Sequence, residues 1–253
     1  MTTLKPPIPE DPGVTVEDAV TRSIDALDFD RISEAYREQN EFVFLDRFIP
    51  SAVVSRLLSE VEQVRPEVHR NYIPKHKKGG SVSCFTLVGK APATLALYRS
   101  PAFIDFLSRL AGARLVLCPE DDPHRCALYF YTEPGDHMGF HYDTSYYKGA
   151  RYTVLMGLVQ RSRSRLVCQL YKGDPARQTR ELSIATEPGS MIIFNGDKLY
   201  HSVTPLGEEE ERVVLTMEYV TNPEMGALKR FVSNMKDAVG YFGLSALRRR
   251  KAV

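Results

Sequence analysis

The stretch CALYFYTEPGDHMGFHYD, residues 126–143, contains two runs typical of β-strands on either side of a turn. The first run, 126–132, is apolar and aromatic, and the second, 138–143, follows a Pro-Gly-Asp turn. Similar short runs precede and follow this stretch, at 114–118, 152–159, 165–171, 190–194 and 212–220. Short strands at this spacing predict a β-sandwich or barrel as the core.

Helical patterns lie on both sides of this β-rich segment. Before it, apolar spacing and capping residues predict helices over 15–27, 30–38, 51–61 and 101–110, with one strand at 41–45. After it, Leu228, Phe231, Val232 and Met235 recur at helical spacing. The polar, Lys- and Gly-rich residues 66–81 are typical of a long loop.

These elements predict one α+β domain over residues 15–253. It consists of a helical N-terminal part (15–113), a β core (114–222) and C-terminal helices (223–253). Residues 1–14 contain four prolines, and we expect them to form a disordered arm.

Composition excludes several classes of function. The net charge of +1 argues against a nucleic-acid or anionic-membrane partner, and no stretch approaches the apolar length of a membrane span. The polar start has no signal-peptide pattern, and none of the four cysteines forms a C-x-x-C pair. We therefore expect a cytoplasmic protein.

Four residues of the β core form a chemically suggestive series. His141 and Asp143 are two apart in a strand-like run, a spacing that turns both side chains to one face. His201 follows on a later run, and Arg212 opens the last one. Two imidazoles and a carboxylate bind one face of non-haem iron(II), and an arginine offers a planar fork for a carboxylate.

With these motifs in place, residues 114–220 resemble the iron(II)/2-oxoglutarate-dependent oxygenase superfamily. The resemblance implies a double-stranded β-helix, or jelly-roll, core flanked by helices. It also implies an Fe(II) ion held by His141, Asp143 and His201, with O2 and 2-oxoglutarate as co-substrates. Arg212 would then pair with the distal carboxylate of 2-oxoglutarate.

One position departs from the pattern of that superfamily. Many members carry Ser two residues after the arginine, where this chain has Val214. Thr216, which shares a strand face with Arg212, and the phenols of Tyr129 and Tyr131 are the candidates for further contacts to 2-oxoglutarate. For the two tyrosines, packing in the core is an equally good interpretation.

The chain is also similar in length and layout to a bacterial group of small oxygenases that halogenate or hydroxylate free amino acids. The halogenases of that group have Gly or Ala where this chain has Asp143, so the resemblance favours hydroxylation of an unactivated carbon. The substrate would be a free amino acid or a related natural-product intermediate. Candidate substrate contacts are His137, Glu120, Arg70, Thr221, Asn222 and Tyr146, each with a structural alternative as an ordinary loop or surface residue.

Two other functions stay open at this stage. One is an oxygenase that acts on a protein, a peptide or a nucleic acid, and the other is a jelly-roll binding protein without turnover. Arg212 argues against the second, because a binding protein has no need of a clamp for 2-oxoglutarate. We expect a small-molecule partner, no nucleic acid and no membrane, with a homodimer as a candidate assembly.

Overall fold

The computed structural model describes residues 13–226 and Tyr241. In these residues a curled antiparallel sheet is covered on one face by helices. The strands are β1 (Phe42–Leu45), β2 (His69–Ile73), β3 (Lys77–Val82), β4 (Val116–Leu117), β5 (Cys126–Tyr131), β6 (His137–His141), β7 (Arg151–Arg161), β8 (Leu166–Leu170), β9 (Arg180–Ile184), β10 (Met191–Asn195), β11 (Tyr200–Val203) and β12 (Glu211–Val220). The α-helices are α1 (Val16–Asp25), α2 (Phe29–Glu38), α3 (Ser51–Val64), α4 (Cys84–Leu87), α5 (Pro92–Arg99) and α6 (Pro101–Ala111).

The strand order is β1-β10-β7-β12-β5-β3-β6-β11-β8-β9, with β2 beside β3 and β4 beside β12. All of these pairings are antiparallel. Neighbours in the sheet, such as β12 and β7, are far apart in the chain, so the chain crosses over between strands that are not adjacent in the sheet. The α+β class and the jelly-roll core predicted from the sequence are confirmed.

Strand β12 divides the core into two parts. The odd-numbered apolar residues from 213 to 219 pack with the helices in the larger hydrophobic cluster. Val214, on the opposite face, belongs to a second cluster inside the curl of the sheet. Because side chains alternate along a strand, the even-numbered residues 212–218 face this interior.

Helix α6 shows why the helical cover forms where it does. The Ser100 side chain caps its N-terminus by accepting a hydrogen bond from the Phe103 backbone N–H, and Pro101 occupies the first helical position. Gly112 ends the helix in the left-handed conformation at φ 65°. The apolar face between these signals is buried against the sheet and the other helices.

Three details of the structure differ from the sequence-based prediction. Residues 66–81 are not a loop, because they contain the β2–β3 hairpin, and β3 is an interior strand between β5 and β6. Strand β9 was not predicted, since it is short and mostly exposed and has only two apolar residues, Leu182 and Ile184. Strand β6 ends at His141, so Asp143 lies just beyond a strand and not within one.

The predicted N-terminal arm, 1–14, lies outside the described residues except for residues 13 and 14. Of the predicted C-terminal helices, residues 223–226 are irregular, and all that follow except Tyr241 lie outside the described part. None of the described helices is long and apolar enough to cross a membrane.

Candidate metal centre and active site

His141, Asp143 and His201 converge at one point inside the curl of the sheet. Strands β6 and β11 are antiparallel neighbours, and their register sets His141 directly opposite His201. The Asp143 carboxylate lies close to both imidazoles, with 3.4 Å from its Oδ1 to His141 Nε2 and 3.9 Å from its Oδ2 to His201 Nε2. One ligand atom from each residue lies within 4.8 Å of the others, which fits a single metal ion.

Backbone hydrogen bonds orient both imidazoles. His141 Nδ1 donates to the Gly139 carbonyl at 2.8 Å, and His201 Nδ1 donates to the Leu199 carbonyl at 3.2 Å. Each ring therefore turns Nε2 toward the carboxylate, the arrangement typical of metal-binding histidines. Burial, and then the neighbouring His141, lower the pKa of His201 to about 4, so this ring is neutral and ready to bind a metal near pH 7.

The Asp143 carboxylate has its own support. Thr153 Oγ1, on β7, donates to Asp143 Oδ2 at 3.0 Å. Burial by itself would raise the pKa of Asp143, but the hydrogen bond from His141 and the charges of His201, His141 and Arg151 hold it well below its ordinary value. The backbone beyond β6 also approaches Gly196 so closely that a Cβ there would lie 2.4 Å from the Asp143 carbonyl oxygen.

Arg212 is buried in the same interior without a carboxylate partner among the described residues. Its side chain is 1% exposed, its Nε donates to Thr186 Oγ1 at 3.1 Å, and its guanidinium lies 5.1 Å from the centre of the Tyr131 ring. Burial lowers the pKa of Arg212, and Tyr131 opposes that effect. A buried charge without a counter-ion is costly, so this arrangement indicates an anionic ligand.

One pocket connects Arg212 with the three candidate metal ligands. The sequence-based candidates for 2-oxoglutarate contacts, Thr216, Tyr129 and Tyr131, all line it. The Tyr129 hydroxyl also pairs with His124 Nδ1 at 3.1 Å. The residues predicted to hold iron and 2-oxoglutarate therefore all line one cavity.

Of the six predicted substrate contacts, Tyr146 lines the pocket. The other five, His137, Glu120, Arg70, Thr221 and Asn222, are not among its lining residues. Arg70 is engaged elsewhere, with Glu133 at 2.8 Å and Asp136 at 2.7 Å. Thr221 and Asn222 accept hydrogen bonds from the backbone N–H groups of residues 150 and 224, and His137 Nδ1 donates to the carbonyl of residue 135.

The pocket also contains two charged residues that sequence reasoning missed, Arg151 and Glu218, which form an ion pair. Beside them, the Tyr147 hydroxyl donates to Asp122 Oδ2 at 2.6 Å. Glu218 follows Arg212 by six residues on β12, so strand alternation could have placed it in the pocket. No sequence signal indicates Arg151, because its position depends on the pairing of β7 with β12.

A family model described as Halogenase D matches residues 24–149, just under half of the chain, and this span includes His141 and Asp143. No curated protein sequence matches the chain.

Solved structures show extensive similarity at low sequence identity. The carbocyclase SnoK from nogalamycin biosynthesis, described as non-heme and alpha ketoglutarate dependent, is 14% identical with a TM-score of 0.63, covering 83% of this chain and 92% of SnoK. The epimerase SnoN, solved with Fe3+, alpha ketoglutarate and nogalamycin RO, is 15% identical with a TM-score of 0.62, covering 76% and 83%.

A prolyl hydroxylase from Trichoplax adhaerens, solved with a peptide fragment of the hypoxia inducible factor oxygen degradation domain, is also similar. It is 15% identical with a TM-score of 0.61, and the match covers 85% of this chain and 95% of that one. These likenesses extend over most of both chains and confirm the predicted resemblance at the level of the fold. The protein has the jelly-roll fold of the iron- and 2-oxoglutarate-dependent oxygenases.

Proposed function

We propose that this protein is an iron(II)/2-oxoglutarate-dependent dioxygenase that hydroxylates an unactivated carbon of a small polar substrate, namely a free amino acid or a related natural-product intermediate. One observation carries the proposal. A buried arginine without a carboxylate partner in the described chain shares a pocket with a His-Asp-His cluster.

The residues present fit both groups. His141, Asp143 and His201 would hold the iron, because two imidazoles and a carboxylate are a donor set suited to Fe(II) that leaves positions open. Arg212 would bind the distal carboxylate of 2-oxoglutarate through its guanidinium fork. Tyr131, beside that guanidinium, and Thr216, on the same face of β12, complete the polar wall around the co-substrate.

When bound, iron with 2-oxoglutarate and O2 supplies the oxidation: the substrate gains one oxygen atom as hydroxyl, and 2-oxoglutarate leaves as succinate and CO2. The chain orients these reactants. Thr153 fixes the Asp143 carboxylate, and the carbonyls of Gly139 and Leu199 fix the imidazoles. The apolar residues Leu155 and Val214 line the same pocket and exclude water from the reacting atoms.

Asp143 supports hydroxylation over halogenation. The matching family model is named for a halogenase. The resemblance implies that the halogenases of that group have Gly or Ala at this position. Here the carboxylate is present, its pKa is held well below the ordinary value, and it lies within 4 Å of Nε2 of both imidazoles. With iron bound, Asp143 would supply the ligand that a halide replaces in those halogenases, so we expect hydroxylated products even in concentrated chloride or bromide.

The experiment is an aerobic assay of the iron-loaded protein with 2-oxoglutarate and each of the common amino acids. Succinate and the mass of each amino acid would be followed by mass spectrometry, once with chloride and once with bromide present. We expect one amino acid to gain a single oxygen atom with stoichiometric succinate, and no halogenated product.

A proline-containing peptide serves as the comparison substrate, because one structural neighbour was solved with a peptide. Hydroxylation of the peptide alone would replace the small-molecule proposal with a peptide hydroxylase. Halogenation of any substrate would overturn the role given to Asp143.

A further inference from the structure

Strand β12 runs along the whole pocket. Its interior-facing residues Arg212, Val214, Thr216 and Glu218 all line the cavity. Six residues of strand correspond to about 20 Å between Cα atoms, so Glu218 lies at the opposite end from Arg212. We call this end the far end and define it by Glu218, Arg151, Asp122 and Tyr147.

The far end contains two carboxylates and one guanidinium. Glu218 is 2% exposed and pairs with Arg151 through Oε1, whereas its Oε2 is buried without a hydrogen-bond partner among the described residues. Both oxygens of Asp122 are occupied, by the Tyr147 hydroxyl at 2.6 Å and by the His124 backbone N–H at 2.8 Å. The far end as defined thus sets two carboxylates against one guanidinium, and both Glu218 Oε2 and Arg151 Nε are buried without a hydrogen-bond partner among the described residues.

We propose that the far end binds a positively charged ammonium group of the substrate and that Glu218 Oε2 is its acceptor. This inference rests on the proposed function for the identity of the cavity as a substrate pocket. A buried carboxylate oxygen without a donor is costly, and an ammonium group supplies that donor together with a positive charge. Glu218 is then a specificity-determining residue that selects amines over neutral molecules of the same shape.

A second metal ion is the main alternative occupant. Cys118, Asp122 and Glu218 offer ligand atoms within 4.8 Å of one another. However, burial raises the pKa of the Cys118 thiol, which donates to the Glu218 carbonyl at 3.4 Å, so it is not a thiolate. The guanidinium paired with Glu218 would also repel a cation of higher charge.

The test compares ligands of matched shape that differ in one amino group. The metal-free full-length protein would be titrated calorimetrically with n-pentylamine against 1-pentanol, and with L-norleucine against hexanoate. The protein variants are wild type, Glu218→Gln, and Glu211→Gln as the matched control. Glu211 is on the same strand and forms ion pairs outside the pocket with Arg65 and Arg161.

We expect wild type and Glu211→Gln to prefer the amine of each pair by about tenfold or more, as a hydrogen bond between charged groups implies. Glu218→Gln should lose this preference while it keeps the volume of the side chain. Equal affinities within the pairs for wild type, or a preference that survives in Glu218→Gln, would overturn the proposal. If Glu218→Gln does not fold, Glu218→Asp, which keeps the charge but shortens its reach, should show a reduced preference.

The titration needs no iron, so its failure is distinguishable from failure of the oxygenase proposal. Amine preference without 2-oxoglutarate turnover would support the ammonium site and reject the proposed oxygenase function. Turnover without amine preference would support the oxygenase function and reject the ammonium site. A zinc(II) titration completes the test. Binding of one zinc ion by both wild type and Glu218→Gln would support the proposal. Binding of two zinc ions by wild type and only one by Glu218→Gln would show that the far end is a metal site.

Discussion

Replacing Arg212 with methionine should change stability and ligand binding in opposite directions. Arg212 is buried, and no described carboxylate balances its charge. Methionine fills most of the same volume without a charge, so the ligand-free variant should unfold at the same urea concentration as wild type or at a higher one. The variant loses the hydrogen bond to Thr186 Oγ1, a contribution of about 1 kcal/mol, and the contact of the guanidinium with the Tyr131 ring, and these losses offset part of the gain.

Binding of 2-oxoglutarate should weaken strongly in the same variant. Two hydrogen bonds between charged groups contribute about 3 kcal/mol or more, which corresponds to about 100-fold in Kd. At a concentration 100 times the wild-type Kd, 2-oxoglutarate should stabilise wild type by about 2.7 kcal/mol and the variant by about 0.4 kcal/mol.

The assay is urea denaturation with and without 2-oxoglutarate, with zinc(II) in the metal site to prevent oxidation. Arg65→Met is the control, because Arg65 has carboxylate partners, Glu62 at 2.6 Å and Glu211 at 2.9 Å, and lies outside the pocket. It should keep the full stabilisation by 2-oxoglutarate. Equal stabilisation of wild type and Arg212→Met would refute the assignment of Arg212 as the clamp.

Three further substitutions test the support around the centre. Thr153→Val removes the hydrogen bond to Asp143 Oδ2 and should weaken Fe(II) binding about tenfold in a chelator competition, with unfolding little changed. Gly196→Ala should displace Asp143 and weaken Fe(II) binding further, whereas Gly173→Ala, whose Cβ would meet nothing within 4 Å, should match wild type. Tyr131→Phe should raise the KM for 2-oxoglutarate and leave iron binding unchanged. An unchanged KM would mean that Tyr131 only packs in the core and does not contact 2-oxoglutarate.

The strand patterns were sufficient to predict a β-sandwich or barrel core, and the family resemblance then implied the jelly-roll. Strand β12 alternates between a face against the helices and a face against the interior, and its bounds lie within one residue of the prediction. The spacing of His141 and Asp143 also indicates convergence, although Asp143 reaches its place from an irregular segment after β6.

Other parts could not be predicted because they depend on contacts between distant segments. The β2–β3 hairpin has a polar sequence, and β3 becomes an interior strand only through its pairing with β5 and β6. The ion pair between Arg151 and Glu218 likewise depends on the register of β7 against β12. Arg70 was a plausible substrate contact in the sequence, but the fold gives it two carboxylate partners away from the pocket.

The most direct test of the central claim is an anaerobic titration of the metal-free protein with Fe(II) and 2-oxoglutarate, followed by visible absorption. We expect the weak charge-transfer band of an iron(II)–2-oxoglutarate chelate in wild type, no band in His201→Ala, and a band in Arg212→Met that needs about 100-fold more 2-oxoglutarate. A folded, iron-loaded wild-type protein that shows no band at saturating 2-oxoglutarate would contradict the assignment of this pocket as an oxygenase centre.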